Sequence, residues 1–106
     1  MELQLLLSAW RTTKIHWHGE KWNYYGDEDE WRQYQFEPGG RLSVSYNFKG
    51  KHTPSFYAYT WVVEKDNIIL YEFAKRHGNV KSIIEDSLII QLSSGITLYF
   101  RETRNQ

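Results

Sequence analysis

From Trp31 to Arg101 the chain repeats one pattern: a short run of β-branched, aromatic and aliphatic residues, then a break rich in Gly, Pro, Asn, Asp or Ser. Runs this short suit strands, and their side chains favour the pleated, half-buried surface of a sheet. The cleanest run is 41–48. There Leu42, Val44, Tyr46 and Phe48 alternate with Ser43, Ser45 and Asn47, the period of two that gives a strand one apolar face. Pro38-Gly39-Gly40 before it is a strong turn, so the run 31–37 forms a hairpin with it.

Further strands are expected over 56–64, 68–74, 80–85, 88–92 and 96–101, with turns at 50–54, 65–67, 77–79, 86–87 and 93–95. Together with a first strand over 9–18, eight strands of roughly 5–9 residues result. No helix separates them, which excludes βαβ units. The fold class is therefore all-β, one domain over residues 1–106: an eight-stranded antiparallel up-and-down barrel, or else a sandwich. In a barrel the first strand pairs with the last, and the interior is filled by side chains or holds one small ligand.

The first strand carries a conflict. Trp10, Thr12, Lys14, His16 and His18 share one face, while Ala9, Arg11, Thr13, Ile15 and Trp17 share the other. A β-bulge between Trp10 and Trp17 would let both face inward. Ahead of it, residues 2–8 hold Leu3, Leu6 and Leu7 at helical spacing, so a short helical turn plugging one barrel end is expected. Residues 19–30 have no clean period and read as a long loop; Trp22, Tyr24 and Tyr25 on it could fold over a cavity mouth. The tail 102–106 is polar.

Composition narrows the function. Lys+Arg and Asp+Glu are 13 each, which speaks against an electrostatic nucleic-acid binder or a polybasic membrane-surface protein. There is no cysteine, hence no disulfide, thiolate zinc site or cysteine nucleophile. The leucine-rich start lacks the positive charge and length of a signal peptide, and no segment approaches a membrane span. If Met1 is the natural start, a cytoplasmic protein is expected. Aromatics make up 17%, including five Trp and eight Tyr. Such rings suit strands and half-wet surfaces, where one end is apolar and the other hydrogen-bonds.

A few short motifs resemble the lipocalin-like (calycin) group, in particular its small bacterial domains. Ser8-Ala9-Trp10 stands in the place of the Gly-x-Trp that opens the first strand. Phe36-x-x-Gly39-Gly40 is similar to the family's Phe-x-x-x-Gly hairpin. Leu88-Ile89-Ile90 followed by Leu98-Tyr99-Phe100-Arg101 looks like the closing hairpin, with Arg101 as the terminal-strand arginine. Ser8 replaces the motif glycine, and the chain is shorter than a full secreted lipocalin, without the long helix after the eighth strand. The resemblance implies a barrel that binds a small apolar molecule.

Candidate residues follow from these readings. Trp10 and Arg101 are expected to meet at the seam, a guanidinium over an indole contributing about 0.5–2 kcal/mol; Arg104 competes for that role. The ligand-binding set is His16, His18, Trp22, Tyr24, Tyr25, Tyr46, Tyr57, Tyr59 and Trp61, rings that either line a pocket or simply fill the core. His16-x-His18 has a spacing some metal sites use, but no further ligand is fixed, so polar strand residues are the plainer reading and no metal is expected. Asp27 to Glu30 lacks the pattern of a calcium loop and reads as a solvated acidic face. No phosphate loop or nucleophile elbow is present, and no cofactor is expected.

Three functions remain, in falling order. The first is binding of a hydrophobic or aromatic small molecule at the loop end. The second is a filled barrel acting as a protein-interaction module, which an aromatic outer face or a homodimer would favour. The third is an enzyme using His16 or His18 as a base, ranked last because no second catalytic group can be named.

Overall fold

The computed structural model describes the backbone of residues 2–17, 22–25 and 30–103 and the side chains of 3–16 and 30–103. A helix, α1 (Glu2–Leu7), precedes the strands β1 (Ala9–Trp17), β2 (Trp22–Tyr25), β3 (Glu30–Glu37), β4 (Arg41–Phe48), β5 (Lys51–Glu64), β6 (Asn67–Glu72), β7 (Lys75–Ile84), β8 (Ser87–Leu92) and β9 (Ile96–Thr103). From β3 to β9 every strand pairs antiparallel with its successor, and β1 pairs with β9, so the sheet closes. The result is an eight-stranded up-and-down barrel with a ninth short strand, β2, inside the expected loop. β1 takes its neighbours in turn. Ala9 to Arg11 pair with Gln35 to Gln33, and Lys14 to Trp17 pair with Tyr25 to Trp22.

Closure removes the sheet edges that an open meander would expose. The interior follows the alternation. Tyr34, Phe36, Leu42, Val44, Leu88, Ile90, Leu98 and Phe100 are all buried in one cluster. Burial of this apolar surface is the main favourable term holding the barrel together, at roughly 25 cal/mol per Å². The conflict in β1 is resolved by a bulge between Thr12 and Lys14. Before it Trp10 and Thr12 are buried; after it the parity shifts and Ile15 is buried. Trp17 carries its backbone pairing to Ile96, but its side chain lies outside the described residues.

The barrel has two different ends. One carries α1 and the turns Pro38–Gly40, Lys65–Asp66 and Glu85–Asp86; here it is called the plug end. The helix buries Leu5 and packs Leu6 against the core, while Leu3 and Leu7 stay exposed. So the helix plugs the barrel as expected, but through Leu5 and Leu6 and not through Leu3, Leu6 and Leu7. Gln4 Nε2 donates to the Glu85 carbonyl and ties the helix to a turn. Below it Trp10 is fully buried, and Phe36 meets Trp61 edge-on at 5.8 Å. The other, open end carries the turns Lys49–Gly50, Phe73–Ala74 and Ser93–Gly95.

Two expected turns move. His77-Gly78-Asn79 lies within β7, and the chain reverses instead at Phe73–Ala74, with Phe73 at φ 57°. Gly78 is there for contact and not for a turn: a Cβ on it would sit 2.5 Å from the Gln91 carbonyl oxygen and 3.0 Å from the Leu92 Cα. Likewise 51–54 belongs to β5, which reverses from β4 at Lys49 (φ 51°) and Gly50 (φ 81°), both in the left-handed region that a tight hairpin uses. Pro54 falls where the β4–β5 register shifts, so the ladder does not need its missing N–H.

Candidate functional site

Five strands deliver polar side chains to the open end. On β3 the inward positions are Arg32, Tyr34 and Phe36, because their neighbours Trp31 and Gln33 hold Arg11 on the outside. The Arg11 guanidinium lies 3.9 Å from the Trp31 ring centre and donates to Gln33 Oε1 at 2.8 Å. Arg32 pairs with Tyr46 of β4, and its guanidinium stands 5.7 Å from that ring. Tyr59 comes from β5 and Glu72 from the end of β6. His77 occupies an extra position in β7, between Arg76 opposite Tyr71 and Gly78 opposite Leu70. That bulge turns its imidazole onto Tyr59, nearly parallel (16°) at 4.2 Å.

Tyr34 marks the floor. It is buried, and its ring lies 4.9 Å from Phe100 and 6.1 Å from Tyr59. Burial pushes its phenol well above the ordinary value, with further upward pushes from Tyr59 and Tyr46 and a downward pull from Arg32. The neighbouring phenol of Tyr59 adds to the upward push on Tyr34. Tyr59 itself is raised, by burial first. His77 is lowered by burial, with Glu72 opposing and Arg32 adding to the effect. Its Nε2 is buried without a hydrogen-bond partner.

Beside this column is a groove of about 400 Å³ at the point where β1 parts from β3. The Arg32 N–H, past the end of that ladder, donates to Thr12 Oγ1 at 2.9 Å. Ile15, Tyr46 and Phe48 give the groove apolar walls, Trp31 lies alongside, and Arg32 and Glu30 supply charge.

No family model, no curated protein and no solved structure matches the chain. The site is therefore read from its own chemistry.

The structure sorts the residues expected from sequence. Tyr46 and Tyr59 come together at the open end, as part of the column and groove. Tyr57 does not: it is more than half exposed on the outer face, its hydroxyl donates to Glu37 Oε1 at 3.1 Å, and Arg41 lies 4.8 Å from its ring. The β4–β5 register shift at Leu42/Ser43 separates it from Tyr59. Trp61 sits at the plug end, where its Nε1–H is shared between the Glu37 and Arg41 carbonyls at 3.1 Å each. His16 is half-buried, opposite Thr97 and Asn23, on the side of β1 away from Ile15. His18 lies outside the described residues, as do the side chains of Trp22, Tyr24 and Tyr25. The acidic stretch 27–29 and Arg104 lie outside them too.

The seam forms but not the contact assigned to it. Arg101 is exposed opposite Arg11, while Trp10 is buried opposite Glu102. Directly paired residues share a face, so Arg101 and Trp10 are on opposite sides of the sheet. The guanidinium that does cover an indole is Arg11, over Trp31.

Arg32 and His77 were not singled out by sequence. The signal for Arg32 was present: it alternates with Tyr34 and Phe36 in a strand whose inward face those two define. Nothing in the sequence marks His77, because the bulge that aims it depends on Gly78 packing against β8. Among the described residues no group of three His, Asp or Glu side chains is placed to hold a metal ion. No helix is long and apolar enough to cross a membrane among them. What the open end offers is an apolar groove with a cation, a carboxylate and one phenol in its lining.

Proposed function

We propose that the protein is a lipocalin-like barrel whose open end binds a small hydrophobic or aromatic molecule. The observation that carries this is the apolar lining of the open-end groove, beside a filled barrel middle; the larger cleft by α1, about 770 Å³, is lined mostly by polar residues. The middle is filled, with Tyr34 and Phe100 meeting 4.9 Å apart, whereas the groove by Ile15, Tyr46 and Phe48 has about 400 Å³. That volume falls in the range of about 300–1,000 Å³ typical of small-molecule sites. It suits a ligand of one or two rings, seated at the mouth and not deep in the barrel. The test is a thermal-shift and tryptophan-fluorescence screen of fatty acids, flavonoids and smaller arenes. A stabiliser whose effect is lost in Tyr46→Ala supports the reading; a panel without any stabiliser removes it.

A second reading, a protein-interaction module, has an observation of its own. Phe48, Phe56 and Phe73 are exposed by 60%, 43% and 96%, and Phe48 and Phe73 sit at the open-end turns. Exposed rings of this size mark contact surfaces when they cluster. Sedimentation of the wild type and of Phe73→Ser separates the two: self-association lost in the variant, with no small-molecule stabiliser found, favours this alternative.

A further inference from the structure

We infer that the molecule bound at the open end is a monoanion, in the simplest case an aromatic carboxylate, with its charge against Arg32 and its apolar body over Ile15 and Phe48. The inference rests on the small-molecule reading above and adds the chemical class.

Arg32 stands at an inward position of β3, in line with the buried Tyr34 and Phe36. A cation there is costly unless its donors are met. Its described surroundings are rings and hydroxyls: the face of Tyr46 at 5.7 Å, with its charge felt at Tyr34, Tyr59 and His77. A guanidinium carries five N–H donors in a planar fork that matches a carboxylate. Glu30, on the same face two residues nearer the rim and about 7 Å further out along the strand, cannot use all of them.

Two further polar groups feel the charge of Arg32 from behind the groove. Tyr59 is stacked on His77 at 4.2 Å and carries a phenol O–H. His77 keeps Nε2 buried and without a partner, an uncommon and costly state. Of these donors it is the Arg32 guanidinium that lines the groove, against the apolar walls of Ile15, Tyr46 and Phe48. Glu30 at the lip sets the valence: a second negative charge at the far end of a ligand would meet it.

The experiment compares three probes on wild-type protein by calorimetry: 2-naphthoate, 2-naphthylmethanol and 2,6-naphthalenedicarboxylate. The expected order is 2-naphthoate about tenfold or more tighter than the alcohol, as charge-assisted hydrogen bonding implies, with the dicarboxylate weaker than the monoacid. Raising salt weakens the acid and leaves the alcohol unchanged. Arg32→Met, which keeps the apolar stem, brings the acid down to the level of the alcohol. The wild-type comparison and its salt dependence stand even where that variant fails to fold. Equal binding of acid and alcohol overturns the inference and leaves the small-molecule reading in place. Binding of no probe, here and in the wider screen, removes both.

Discussion

The two ends of this barrel use the same kind of side chain to opposite effect. At the plug end Trp10, Phe36 and Trp61 are buried, capped by Leu5 of α1, and the Trp61 N–H is tied to two carbonyls of the Pro38–Gly40 hairpin. At the open end Tyr59 and His77 stack at 4.2 Å, Tyr46 and Phe48 line a groove, and Phe73 is exposed. What differs is polarity at the inward positions. The plug end packs ring against ring, with Trp10 Nε1 the buried polar atom there that has no partner among the described residues. The open end presents Arg32, the phenols of Tyr46 and Tyr59 and the imidazole of His77, whose Nε2 has no partner among the described residues. The plug end is ring-packed within and carries a polar cleft of about 770 Å³ beside α1, whereas the open end carries the apolar groove of about 400 Å³.

The largest effect that could break this contrast is a truncation at each end. Trp10→Ala should cost about 3–5 kcal/mol, as for other fully buried large aromatics. Tyr46→Ala, half-exposed, should cost less than about half of that. Urea unfolding of the two variants measures both, and equal losses would abolish the division. Next is Gly78→Ala, expected to cost about 1–3 kcal/mol because its Cβ meets backbone that cannot step aside. That variant shows whether the frame of the open end is rigid; an unchanged unfolding midpoint would say it is not. Trp61→Phe should cost about 1 kcal/mol from the lost N–H donation alone, with a further loss from the smaller ring.

The smallest effect is a pH dependence located at the open end. Burial lowers His77 in the fold, with Glu72 opposing and Arg32 and the stacked Tyr59 beside it. Below the ordinary value of 6.5 the unfolded chain then holds more protons than the folded one. Stability should therefore fall as pH drops through 6.5 and level off below the folded value. Tyr34, raised by burial, gives the reverse limb: stability falls as pH rises past 10, where only the unfolded phenol ionises. Denaturation midpoints between pH 7 and 5 should lose the contribution of His77 in His77→Phe, while Trp61→Phe keeps it.

Most of the frame was legible because closure is a consequence of alternation. The period of two in 41–48 survives in β4, where Leu42 and Val44 are buried, and the conflict between Trp10 and Trp17 foretold a bulge that the backbone makes at Thr12/Lys14. The site was less legible for one physical reason: bulges. Each adds a residue to one strand and changes the facing of everything after it, so Tyr57 and Tyr59, which share parity in the chain, end on different faces. His77 was hidden behind Gly78, since a glycine needed for close packing reads the same as one needed for a turn. Trp10 and Arg101 were paired by motif position, yet the cross-strand register puts them on opposite faces of the sheet.

The most direct test of the division is an amide-resolved NMR titration of the wild-type protein with 2-naphthoate. Binding at the open end predicts shift changes at Ile15, Arg32, Tyr46, Phe48, Tyr59 and His77, with Leu5, Trp10 and Trp61 unmoved. Shifts concentrated on α1 and Trp10, or spread evenly over both ends, would contradict it.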